Sequence, residues 1–355
     1  MIEGPSHVSG PGTGARPSTD LSDPRGLTRA PGAETLPGAP VERVSPWTAR
    51  FRADARKHQV PSAPPPLPPH SPRLTIAPSM NDPQQSRVQT ALGGPEPSGS
   101  KPAIALVQYD ADRHFGEREI NLANLEALTL EAIAAGANII VHPEGSTCGY
   151  ASPNKRWCAP SELQVWGPAG ADVSTVAEPI PGGPTTAYWQ ALARTHGVYI
   201  VYHLPEAGDA GRYYTTLGVV GPAGFVTRYR KRLLYHIDEA FASPGREAVV
   251  LETPYGRFGL MICLDATYNG PYYDAYRDAG VDAIIVSMDW DDDPQGPYAA
   301  QTWFADRARD NAVVIYAADV SPWDGTGKYA PGRARERCGL PAVGVGIDGV
   351  SIHRL

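Results

Sequence analysis

A chain of 355 residues, 42% of them hydrophobic, is long enough for one large domain or two ordinary ones. A net charge of -7 and a pI near 5.7 argue against nucleic acid or an anionic membrane as partner. The four cysteines (Cys148, Cys158, Cys263, Cys338) form no C-x-x-C pair and no zinc-like spacing, and are too few for a disulfide framework in so long a chain.

A reducing cytoplasm suits those thiols. No stretch approaches the roughly 20 apolar residues that span a bilayer, and the first twenty residues lack the apolar core of a secretory signal. Residues 1–100 hold more than half of the 37 prolines, including PSAPPPLPPH at 61–70, and show no hydrophobic periodicity. Such a composition predicts a disordered Pro/Gly/Ser-rich extension, because too little apolar surface is available to offset the entropy of ordering. It fits a segment that docks on SH3-like grooves, or one that is not translated at all if the start lies downstream, for example at Met80.

Order is expected from Lys101. PAIALVQYD reads as a buried strand, and Glu117 to Ala137 as an amphipathic helix with Ile120, Leu122, Leu125, Leu128, Leu130 and Ile133 at three- and four-residue spacing. A strand at 138–142 ends in Pro143-Glu144, which makes strand, helix, strand and implies parallel pairing. After an irregular passage at 145–184 come a helix at 185–196, a strand at 198–203, and a hairpin of 213–220 with 224–229 across Gly221-Pro222. A helix at 272–279, a strand at 283–288, a helix at 299–311 and a strand at 312–318 complete a single α/β domain.

The stretch that organises the chain is YGRFGLMICLDATY, 255–268. Its middle is an apolar run of strand length, and a polar turn follows at once. A thiol at the end of such a strand reaches the sheet edge, where backbone N–H groups of the turn stand near a developing oxyanion. Taken alone, Cys263 reads equally as a buried core thiol, Glu144 as a residue near a helix start, and Lys231, between Arg230 and Arg232, as a solvated charge run. Taken together, a thiol, a lysine that favours the thiolate and a carboxylate that moves protons make a reactive set.

VHPEGSTCGY at 141–150, YRKRLL at 229–234 and GRFGLMICLDATY at 256–268, in that order, resemble the nitrilase superfamily of carbon–nitrogen hydrolases. The resemblance runs from about Lys101 to Gly332. It implies a four-layer α-β-β-α sandwich, usually assembled as dimers. It also implies roles: Glu144 as general base, Lys231 as oxyanion stabiliser, Cys263 as nucleophile. Glu239, in DEAFASPG, matches the family's accessory glutamate, and the main-chain N–H of Leu264 would be the second oxyanion donor.

Departures from the pattern are as informative. Leu264 stands where an aromatic is common, and Ala266-Thr-Tyr-Asn269 lacks the usual Phe-Pro-Glu. Asp289 and Asp291 to Asp293 around Trp290 would suit a cationic ligand or, more simply, a solvated loop. Beyond YAPGR the family pattern is lost, so residues 333–355 are expected to be an atypical tail, from a frameshift or truncation near Arg333, that leaves the 101–332 domain without its closing strands. The combined reading is a cytoplasmic hydrolase of non-peptide carbon–nitrogen bonds in small amide, N-carbamoyl or nitrile substrates. It would act through a thioester on Cys263, with no metal or organic cofactor, as a homodimer or higher homo-oligomer. The alternatives are an N-acyltransferase and a non-catalytic homologue with an N-terminal interaction arm.

Overall fold

A computed structural model describes residues 88–91 and 102–355, apart from 153, 291–298, 322–324 and 340–346. The proline-rich run at 61–70 and Asp291 to Asp293 therefore lie outside the described residues. Two six-stranded sheets carry the architecture. The first takes β1 (Val88–Ala91), then β10 (Ala248–Thr253), β11 (Gly256–Ile262), β12 (Ala283–Ser287), β13 (Val314–Ala318) and β14 (Gly327–Tyr329) in that spatial order. The second runs β15 (Gly349–Arg354), β2 (Ala103–Gln108), β3 (Ile139–Val141), β7 (Tyr199–Ala207), β8 (Tyr213–Gly221) and β9 (Gly224–Arg230). A small sheet of β4 (Ala151–Ser152), β5 (Lys155–Cys158) and β6 (Gly170–Asp172) lies in the passage expected to be irregular. Each large sheet has a parallel trio at its centre, β11-β12-β13 and β2-β3-β7.

Four helices longer than one turn are described: α1 (Arg118–Ala134), α2 (Pro184–His196), α3 (Pro271–Asp278) and α4 (Ala300–Asp310). The period of two along a strand sorts side chains between layers. Ile104 and Leu106 of β2, Ile139 and Val141 of β3, and Tyr199 and Val201 of β7 join one core with Leu260, Ile262 and Ile284 of the facing sheet. Their neighbours Ala105, Val107, Ile140 and Ile200 pack instead with Leu122 and Leu125 of α1 and Trp189 and Ala193 of α2. On the other side, Tyr276 of α3 lies so close to β11 that a Cβ on Gly259 would meet its ring at 2.7 Å. The layers are thus α-β-β-α.

Three expectations change. In α1, Ile120 and Leu130 are exposed, while Asn121 and Thr129 are buried. Hydrogen bonds make that face possible: Tyr109 Oη donates to Asn121 Oδ1 at 2.7 Å, and Thr129 Oγ1 pairs with His142 Nε2 at 2.9 Å. Within the segment expected to be disordered, Val88–Ala91 form a strand parallel to β10. The tail set apart from the domain contributes β15, antiparallel to β2 over six residues, so the edge beside β2 is paired. Among the described residues no helix is long and apolar enough to cross a membrane.

Candidate active site

Lys231 and Cys263 follow β9 and β11 directly and Glu144 comes three residues after the end of β3, so strands from both sheets deliver them to one place. This is the carboxyl-end position where open α/β sheets present ligand-binding loops. Cys263 sits where β11 breaks into a single 3-10 turn, Cys263–Ala266, with φ +40°. That is an uncommon conformation for a non-glycine residue and costs about 1–3 kcal/mol. The strand turns within one residue at the thiol, which stays buried at the strand end among core residues.

Asp265 holds the turn. Its carboxylate accepts from Tyr229 Oη at 2.6 Å, from the main-chain N–H of Arg232 at 3.1 Å and from that of Leu233 at 2.7 Å. One buried side chain thus clamps the Cys263 turn to the segment carrying Lys231. Glu144 is held as firmly. Gly145, at φ +69°, allows the chain to fold back so tightly that a Cβ there would lie 2.7 Å from the Cβ of Tyr150. The Ser287 hydroxyl donates to His142 O at 2.8 Å across the sheets, and the Asp289 N–H donates to Glu144 Oε2 at 3.3 Å.

The charge run around Lys231 is not solvated at its centre. Lys231 is fully buried, and its ammonium lies 2.7 Å from both Glu144 Oε1 and Asp238 Oδ2. It also stands 5.6 Å from the centre of the Tyr150 ring, whose hydroxyl donates to Asp238 Oδ1 at 2.9 Å. Burial alone would favour a neutral amine, but the two carboxylates outweigh it and hold the Lys231 pKa well above its ordinary value. Burial raises Glu144, Lys231 pulls it back, Asp238 adds repulsion, and the balance settles at about 7. Burial and the neighbouring Glu144 carboxylate push the Cys263 thiol up as well. The site therefore holds a thiol shifted toward its protonated form and a carboxyl that titrates at about 7.

Glu239 is not part of this constellation. It is exposed, and the second carboxylate on Lys231 comes from its neighbour Asp238. The sequence offers two adjacent acids, and the phase of the 3-10 turn Asp238–Ala240 decides between them. Asp238 is locked by accepting from the Tyr235 N–H at 2.8 Å. Leu264 follows Cys263 inside the 3-10 turn. Tyr150 and Asp265 lie outside the residues the sequence marks for the site; the Tyr150-bearing GY and the Cys-x-Asp pattern are the signals that point to them.

The sequence profile of carbon–nitrogen hydrolases matches residues 103–330, more than half of the chain. The protein belongs to the carbon–nitrogen hydrolase family. A nitrilase of Pyrococcus abyssi is 33% identical over 163 residues, 46% of this chain and 55% of that protein. Bos taurus pantetheinase is 27% identical over 216 residues, 53% and 40% of the two chains. Omega-amidase NIT2 of Danio rerio is 27% identical over 233 residues, 63% and 75%. The chain spans about half the length of the first two of these relatives. The crystal structure of an amidase from Nesterenkonia sp. shares the fold with a TM-score of 0.57 at 19% identity, covering 74% of this chain and 93% of that one.

Proposed function

We propose that this carbon–nitrogen hydrolase cleaves small amides, N-carbamoyl compounds or nitriles through a thioester on Cys263. The observation that carries the reading is the sealed Glu144–Lys231–Asp238 cluster beside a thiol on a strained strand end. For an amide, Glu144 takes the Cys263 proton as sulfur attacks the carbonyl carbon. The Lys231 ammonium and the Leu264 N–H hold the oxyanion. Glu144 returns the proton to the leaving nitrogen as the C–N bond breaks, giving amine and thioester. It then takes a proton from water, whose oxygen displaces the thiol, releasing the acid and restoring Cys263–SH.

Relatives named nitrilase, pantetheinase and omega-amidase support hydrolysis over acyl transfer to a large acceptor. The four unpaired cysteines support a reducing, cytoplasmic setting. We assign residues 1–100 as an extension that joins the fold through β1, residues 101–332 as the hydrolase domain and the tail as its closing edge, in a homodimer or larger homo-oligomer.

The test is ammonia release by the full chain from a panel of amides, N-carbamoyl compounds and nitriles, with Cys263→Ala alongside. Hydrolysis by the parent and a loss of at least about 10³-fold in the variant is the expected result, since the nucleophile is the covalent centre. A folded parent that is silent across the panel, or a variant as active as the parent, would sink the reading.

A further inference from the structure

β7 lies between the strand that leads to Glu144 and the hairpin that leads to Lys231, and His203 is the polar residue buried in its middle. Its ring bonds in both directions. The Gly145 N–H donates to Nδ1 at 2.9 Å, and Nε2 lies 2.9 Å from Thr215 Oγ1. Because Nδ1 accepts, the ring proton sits on Nε2 and is donated to Thr215. The Thr215 carbonyl in turn accepts from the Lys231 N–H at 2.9 Å, and the His203 carbonyl accepts from Thr147 Oγ1 at 2.6 Å. A continuous chain thus runs from the peptide that follows the base to the peptide that carries the ammonium. An apolar residue at 203 would leave the buried Gly145 N–H without its acceptor.

We propose that His203 is a positioning residue whose neutral Nε2–H ring ties the Glu144 turn to the Lys231 segment and so sets where base and ammonium stand beside Cys263. The inference rests on the hydrolase reading for its catalytic meaning. Burial, and then the Lys231 ammonium, lower the His203 pKa to about 3, so the ring keeps one tautomer throughout the working range. Its distance from the reacting atoms is bridged by backbone, not by proton transfer.

The test uses the full chain with His203→Leu, His203→Asn and Thr215→Val, and reads kcat, KM and the pH midpoint of Cys263 alkylation by iodoacetamide. His203→Leu is expected to lower kcat by roughly 10- to 100-fold, with KM within about threefold, because the base is displaced while the pocket is not. It should also move the alkylation midpoint. His203→Asn, whose amide oxygen can replace Nδ1 as acceptor, should recover most of both. Parent-like kcat per alkylatable thiol with an unmoved midpoint in His203→Leu would overturn the proposal, as would Asn behaving like Leu. A parent that alkylates normally but hydrolyses nothing would defeat the hydrolase reading, while the alkylation profiles still decide His203. If His203→Leu does not fold, 15N NMR of histidine-labelled parent decides. The signal moved by Thr215→Val must remain a neutral Nε2–H ring from about pH 5.5 to 8.5, and a ring that protonates in that range overturns the proposal.

Discussion

Arg230 and Lys231 are consecutive, and each belongs to a three-charge cluster, the two of opposite design. On one side of β9, the single carboxylate of Glu206 lies between two guanidinium groups, 2.6 Å from Arg228 Nη1 and 2.6 Å from Arg230 Nη2. On the other side, the single ammonium of Lys231 lies between two carboxylates. The arginine side chains are 38% and 26% exposed, and Arg230 is stacked 3.6 Å from the centre of the Tyr214 ring. Water and an aromatic face complete their solvation. The lysine and its partner Glu144 are 0% exposed. With no water to absorb the imbalance, charge around Lys231 is balanced through protonation, and that is where Glu144 is raised to about 7. Equal counts of charge give a charge clasp where solvent enters and a carboxyl raised toward neutral pH where it does not.

Removing the ammonium breaks the contrast most severely. Lys231→Met leaves Glu144 and Asp238 facing each other without a cation, at a cost of about 3–5 kcal/mol for an orphaned buried partner. The oxyanion donor is lost as well, so kcat should fall by at least about 10²-fold. Urea unfolding and ammonia release measure the two effects. A variant with parental stability and turnover would mean that the cluster is ornamental.

Much of this was legible beforehand. The Glu and Cys candidates each follow an apolar run of strand length, and the Lys candidate follows the second arm of a hairpin readable from Gly221-Pro222. The parts that were not legible share a physical cause: buried polar groups that satisfy one another. β15 alternates Val350 and Ile352 with Ser351 and His353, and it is the polar pair, joined by a 2.9 Å bond, that is fully buried on the side of Tyr316 where apolar residues would be expected. α1 buries Asn121 and Thr129 for the same reason, so the apolar spacing pointed partly to the wrong face. The choice of Asp238 over Glu239 turns on one residue of helical phase, which neither composition nor motif encodes.

The pH dependence sharpens the comparison. Glu144 must be ionised to accept the thiol proton, so kcat/KM should rise with pH through about 7. Asp238 contributes to that position by repulsion, so Asp238→Asn should shift the rising limb to lower pH, by roughly half a unit to one unit. Stability runs the other way. Glu144 is raised from its ordinary 4.5, so its contribution is fully present below 4.5 and is lost as pH rises through about 7. A rising limb that stays in place in Asp238→Asn would assign the titration to another group.

The smallest expected effect comes from the cluster whose arginines reach solvent around the buried Glu206, and it tests whether the two clusters are independent. Glu206 accepts from Thr216 Oγ1 at 2.9 Å and from Arg230 Nε at 2.8 Å, and it fixes the hairpin of β8 and β9 just before Lys231. Glu206→Gln keeps the shape and an acceptor while removing the charge. Because both arginines reach solvent, the loss is discounted to about 1–2 kcal/mol. The side chain of Arg230 points away from that of Lys231 along the strand, so kcat should remain within about twofold of the parent and the pH midpoint should not move. Thermal unfolding with parallel pH–rate profiles measures both. A shifted midpoint in Glu206→Gln would show that β9 transmits charge between its two sides, and that the clasp belongs to the catalytic machinery after all.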